Sequence, residues 1–523
     1  MMFGNEVAEV LAVMRKEKTL PEDVVSQEAI RTAIKMVEST SGLWEGLKAR
    51  IAALIQDEVS YEYPKRTVWW CSVIMQMSKD PVIFQKFVEF IIMNRERFPI
   101  STQYFLFYQL CSLMFRFREL NLWELKEKMW MFYMEIVEEF SKSIKVSLDA
   151  IPMEKRNNDF VVVITEQFLM EQHGPTKTAL DRCKALITRM NKKVLLINTG
   201  EVLTEMGSIP FFNLLCGNYI QERLNENEQY WKGVKVPYYQ CEHNMPNVET
   251  MNQLLGKIRE MAPGYIVTIG RGGILGNLAS RMLTTLTVGL GPADFEYTCA
   301  KYQTLSRKLE ERDIALLHNL GFSEKHVIES IFTSSLKPQT EHINRNILGI
   351  SEEVFLIVVV GARLYDEVTD EFLEMLEGIG REDIFVGFIG EFRNYEKCIE
   401  KFPILKNQSA NLGFCDDILS RLELCDLYVN PIRSGGGTSC VEAMFKGVPV
   451  VTVNYGDVSV NVGEEFCVKD YREMQSKILE YYEDKEFYEM MSKKAIRRAE
   501  ILLDTETEFA RIMQEMDKRE KEC

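Results

Sequence analysis

Three consecutive glycines, Gly435, Gly436 and Gly437, separate an apolar run, Leu427-Tyr428-Val429, from a stretch of helical character that stops at Gly447. Without Cβ atoms the backbone there can turn its N–H groups toward an anion, and the positive end of the following helix adds to the attraction. Ser434 and Ser439 flank the turn with hydroxyls, and Arg433 precedes it with a fixed positive charge. Thr438 and Glu442 lie four residues apart and so share one helical face. A carboxylate one turn behind an anion-binding helix start is placed to accept hydrogen bonds from a ribose diol. Anion and diol together describe a site for a nucleotide diphosphate.

A second constellation lies upstream. Phe160-Val161-Val162-Val163-Ile164-Thr165 is followed by Glu171-Gln172-His173-Gly174-Pro175-Thr176-Lys177-Thr178. His173 stands in a strand-to-helix loop with a Gly-Pro turn behind it, where an imidazole can act as general base on a hydroxyl or touch a phosphate. Gly270-Arg271-Gly272-Gly273-Ile274-Leu275-Gly276-Asn277 follows another strand-like run, but its spacing is not that of a dinucleotide fingerprint. It is expected to line the same cleft. His243 carries no assignment, and no cysteine, histidine or carboxylate spacing suggests a metal site.

The elements that must position these residues follow from periodicity. Continuous apolar runs typical of buried parallel strands recur at 160–165, 194–198, 265–269 and, more weakly, 236–239. They recur again at 354–361, 384–389, 427–429 and 448–453. With helical stretches between, they make two doubly wound α/β domains, about 153–342 and 343–500. Residues 501–523 read as a charged helical tail. The first 152 residues show helical spacing instead, as in Pro81–Ile92 and Trp123–Val137, and suggest an all-α domain of about five to seven helices.

The run from Leu412 to Val453 resembles the nucleotide-sugar glycosyltransferases of the two-Rossmann GT-B fold, close to the family 1 and family 4 type of C-terminal domain. The resemblance covers about 158–515 and is faint in the first α/β domain. It implies a hexosyl-transferring enzyme, with the donor diphosphate on Gly435–Ser439 and the ribose on Glu442. It implies that Gly413 and Phe414 meet the base. It also makes Arg363, at the end of the 354–361 strand, a diphosphate ligand that stabilises the leaving charge, and it makes UDP the default nucleotide. Helices after the second domain should cross back to the first.

Two departures stand out. The common retaining branch has a lysine a few residues after the arginine, where this chain has Asp366 and Glu367. It also has a glutamate eight residues before the ribose carboxylate, where this chain has Ser434. The donor sugar and the stereochemistry are therefore open, and Arg433 is the candidate to supply missing positive charge. Helix dipole and arginine would then neutralise the diphosphate without a metal ion. A glycosyltransferase-like subunit that only binds a partner and a sugar-nucleotide epimerase on the same fold are the alternatives.

Composition bounds the rest. The chain has 523 residues, 46% apolar and 27% charged, and a net charge of −16. So acidic a chain is not built for nucleic acid. No stretch approaches the roughly 18 apolar residues of a membrane span. The 12 cysteines are scattered, as reduced thiols are, and no leader-like segment opens the sequence. A soluble cytoplasmic protein is expected. The size of the helical region suggests a protein acceptor, as in bacterial glycosyltransferases of comparable layout that modify flagellins or adhesins.

Overall fold

The structure is a computed structural model, and it describes Val68 and residues 79–171, 173–201 and 219–522. Two compact units divide the chain. One comprises the described residues of Met1–Ser147, Gly200–Tyr219 and His243–Gln253; the other comprises those of Leu148–Thr199, Ile220–Glu242 and Leu254–Cys523.

In the first unit the described N-terminal residues are helical: α1 (Pro81–Met93), α2 (Ile100–Arg116) and α3 (Trp123–Ser141). Asp80 caps α1 by accepting the N–H groups of Val82 and Ile83, and Pro81 fits the first turn because no acceptor awaits its missing N–H. Phe107 of α2 stacks on Tyr133 of α3 with ring centroids 4.8 Å apart. These aromatics are core, as their periodicity implies. The remainder of the expected helical count lies outside the described residues.

The second unit holds two sheets. The first is built from β1 (Asn157–Thr165), β2 (Lys193–Asn198), β3 (Glu228–Trp231), β4 (Val234–Gln240), β5 (Pro263–Ile269), β6 (Thr285–Val288), β7 (Tyr302–Leu305) and β8 (Val327–Glu329). Their order is β3-β4-β2-β1-β5-β6-β7-β8. Every pairing is parallel except the β3–β4 edge hairpin. Val161, Val162, Val163 and Ile164 of β1 are fully buried, which explains why β1 reads as an unbroken apolar run rather than an alternating one. Helix α4 (Gly174–Thr188) follows β1.

The second sheet contains β9 (Phe355–Gly361), β10 (Ile384–Gly390), β11 (Ser409–Gly413), β12 (Leu427–Asn430), β13 (Val450–Val453) and β14 (Cys467–Val468). It runs β11-β10-β9-β12-β13-β14, parallel throughout. Helix α5 (Gly437–Phe445) follows β12, and α6 (Gly456–Val462) follows β13. Both sheets thus have the doubly wound architecture expected from the sequence.

Helix α7 (Lys485–Leu503) buries Met491, Ala495, Ala499 and Leu502 in the core of the second sheet. Asp504 breaks it, and α8 (Thr505–Glu522) then places Phe509, Ile512, Met513 and Met516 in the core of the first. The chain therefore crosses back, as the resemblance implies. The Leu, Ile, Met and Phe side chains among these contribute about 1.5–3 kcal/mol each when fully buried. Cys183, Cys398, Cys415, Cys425, Cys440 and Cys467 are free thiols. No helix among the described residues is long and apolar enough to cross a membrane.

Candidate nucleotide-sugar site

Strand order reverses between β9 and β12 in the second sheet and between β1 and β5 in the first. Ligands of open α/β sheets sit at the carboxyl ends of the strands at such switch points. Asn430 ends β12, Gly361 ends β9, and Thr165 ends β1. The glycine turn, Arg363 and His173 each follow one of these ends.

The turn after β12 is held open from below. Gly436 has φ +97° and is the N-cap of α5, so any side chain there would be strained. The N–H groups of Gly437, Thr438 and Ser439, in the first turn, have no carbonyl within the helix to bond. Arg433 lies beneath, only 5% exposed. Its Nε donates to Asn430 Oδ1 at 2.8 Å, and its Nη2 donates to the Val360 carbonyl at 2.7 Å and to the Tyr428 hydroxyl at 3.0 Å. Tyr428 is 2.8 Å from Ser439 Oγ, which donates to the Gly436 carbonyl at 3.0 Å. On the far side, the Asp457 N–H donates to the Ser434 carbonyl at 2.8 Å, and Asn461 Nδ2 donates to the Gly437 carbonyl at 2.8 Å. Arg433 and Ser439 were expected to face a donor. Here the guanidinium and the Ser439 hydroxyl brace the turn, while the Ser434 and Thr438 side chains are half-buried.

Glu367 ties two arginines to this frame. Its Oε2 accepts from Arg433 Nη1 at 2.7 Å and its Oε1 accepts from Arg363 Nη2 at 2.8 Å. Burial alone would raise its pKa, but the two guanidinium charges hold it below the usual carboxylate value. Arg363 is partly exposed. The acid that looks like a loss in the sequence therefore orients the arginine that remains.

Glu442, on the second turn of α5, is 8% exposed. Burial pushes its pKa up, opposed by Lys177, whose Nζ lies 3.9 Å from Glu442 Oε1. Lys177 belongs to α4, one turn after His173. His173 is the N-cap of α4, its Nδ1 3.3 Å from Thr176 Oγ1. Burial, and then the neighbouring Lys177 charge, lower its pKa to about 4, so the imidazole is neutral at pH 7. The structure thus brings the sequence-predicted His173 and Glu442 to the two sides of one crevice.

Gly413 has φ +67° and ends β11. Phe414 beside it is 76% exposed, so it is no part of the core and its ring is open to solvent. The Gly270 loop lies at the end of β5, where Arg271 donates to Glu166 Oε1 at 3.2 Å. Asp457 meets the Gly289–Ala300 segment of the first α/β domain by accepting the Ala293 N–H, and burial with the nearby Asp294 charge raises its pKa to about 8. Sequence reading missed the roles of Lys177, Glu367 and Asp457. Each acts through a partner distant in sequence, and only Glu367 sent a signal, as a departure.

Residues 340–498 match the family model "Glycosyl transferases group 1". No curated protein matches the sequence. The fold is similar to an O-GlcNAc transferase mutant from Thermobaculum terrenum, 10% identical, covering 100% of each chain with a TM-score of 0.56. It is also similar to a glycosyltransferase from Rickettsia africae, 12% identical over 70% of this chain and 100% of that one, with a TM-score of 0.51. The chain has the GT-B fold, and its residues 340–498 carry a domain of the glycosyl transferases group 1 type.

Proposed function

We propose that the protein transfers a sugar from a nucleotide-diphosphate donor, a UDP-sugar, to a protein acceptor without a metal ion. The observation that supports this most directly is Glu442. It is a buried carboxylate that accepts no hydrogen bond from the described residues, set one turn behind three N–H groups that lack intrahelical acceptors. A diol on Glu442 and a diphosphate on Gly435–Ser439 satisfy both at once, and Phe414 offers the base a ring face.

Transfer breaks the bond between the anomeric carbon and the diphosphate oxygen, which keeps the electron pair. The α5 N-terminus and Arg363, oriented by Glu367, stabilise that growing charge. The acceptor hydroxyl forms the new bond, and its proton passes to His173, which is neutral and can receive it. Ser434 meets the donor sugar in place of a carboxylate. The helical region, absent from a minimal two-domain enzyme, supports a protein rather than a small acceptor.

UDP release from UDP-glucose, UDP-galactose and UDP-N-acetylglucosamine, each with excess chelator, tests this reading. One donor should turn over in chelator, and His173→Ala should lower kcat by about 100-fold or more with the donor KM little changed. Turnover that needs added metal, or a His173→Ala variant as active as the parent, would contradict the mechanism.

A further inference from the structure

Lys177 and Glu442 are both only 8% exposed, yet they stand 3.9 Å apart, beyond hydrogen-bond distance. Among the described residues the Lys177 ammonium donates no hydrogen bond, and Glu442 is its one ion-pair partner there. Nor does its position explain itself. Lys177 occupies the first turns of α4, where the helix dipole disfavours a cation. The Glu442 carboxylate offsets that cost in part, and a ligand anion bonding the ammonium directly offsets more of it. Glu442, opposite, needs hydroxyl donors. The ligand that completes both carries an anion close to a diol, and the free N–H groups of α5 lie one turn from the same carboxylate.

We propose that Lys177 is a donor-binding residue supplied by the opposite α/β domain, its ammonium bonding the diphosphate of the nucleotide sugar while the ribose hydroxyls take Glu442. This deepens the donor-site reading and rests on it. Lys177 then provides the positive charge that Asp366 and Glu367 deny at the end of β9. Because it reaches the donor from the other sheet, the nucleotide draws the two domains together across the crevice. The 3.9 Å contact holds both charges in place until the donor separates them.

Calorimetric titration of UDP and of uridine into the intact protein, Lys177→Met, Lys177→Arg and Glu442→Ala tests the assignment. Lys177→Met should weaken UDP by about tenfold or more and leave uridine within about twofold, because uridine has no phosphate. Lys177→Arg should restore most of the UDP affinity, and Glu442→Ala should weaken both ligands. A Lys177→Met protein that binds UDP like the parent, or that loses UDP and uridine in equal proportion, would overturn the proposal and make Lys177 a structural partner of Glu442. Should that variant not fold, Lys177→Gln carries the same comparison. If the parent binds no UDP, or Glu442→Ala binds both ligands unchanged, the donor-site reading fails instead.

Discussion

At the scale of single residues, the site is governed by charges out of water. Asp457 is the clearest case, half-buried near Asp294, with desolvation and that charge raising its pKa to about 8. Its sign follows from linkage. The unfolded carboxyl loses its proton near pH 4, whereas the folded one keeps it to about 8, so stability is lost as pH rises through that window. Asp457→Asn should therefore leave stability at pH 4.5 nearly unchanged and raise it by about 1–3 kcal/mol at pH 8.5. Thermal melts at the two values check this, and an equal gain at both would show that the carboxyl is not protonated in the fold. Residue types alone made Glu442 and His173 legible, because each sits at a fixed offset from a glycine turn. They could not make Lys177 or Asp457 legible, since a lone Lys or Asp on a helix is ordinarily a solvated group and its burial depends on the other domain.

At the scale of elements, the glycine turn illustrates how local conformation serves binding. Gly436 combines φ +97° with a Cβ position 2.6 Å from Arg433 Nη2. Gly436→Ala must therefore strain the backbone and displace the guanidinium that braces it. It should cost more than about 1 kcal/mol of stability and weaken UDP binding by at least tenfold, both read from one set of melts and titrations. Intact UDP affinity in the variant would mean that the turn does not hold the phosphates. Strands were legible where burial on both faces demands a long apolar run, as in β1 and β9. Short strands such as β7 (Tyr302–Leu305) and β14 (Cys467–Val468) were not. Four or two residues carry too little periodicity, and their pairing comes from neighbours already in the sheet.

At the scale of the whole molecule, one mainly parallel and one fully parallel sheet each present a switch point, and α7 and α8 bind the tail of one domain into the core of the other. This crossing follows from Asp504 breaking the helix between two apolar faces. It was legible only through the resemblance, because periodicity says that a helix is amphipathic but not which sheet it covers. The net charge of −16 contrasts with a site whose cations, Arg363 and Lys177, each face one of its carboxylates, Glu367 and Glu442. Selectivity for an anionic ligand in an acidic protein must then come from that local arrangement rather than from the overall field.

The central claim is that Glu442 and the glycine turn hold a nucleoside diphosphate. Calorimetry with UDP, GDP, dTDP and CMP in the absence of metal, on the intact protein and on Glu442→Ala, tests it most directly. The account predicts selective binding of UDP that weakens by about 1–3 kcal/mol in the variant. Failure of the folded protein to bind any of the four, or equal affinity in the variant, would contradict it.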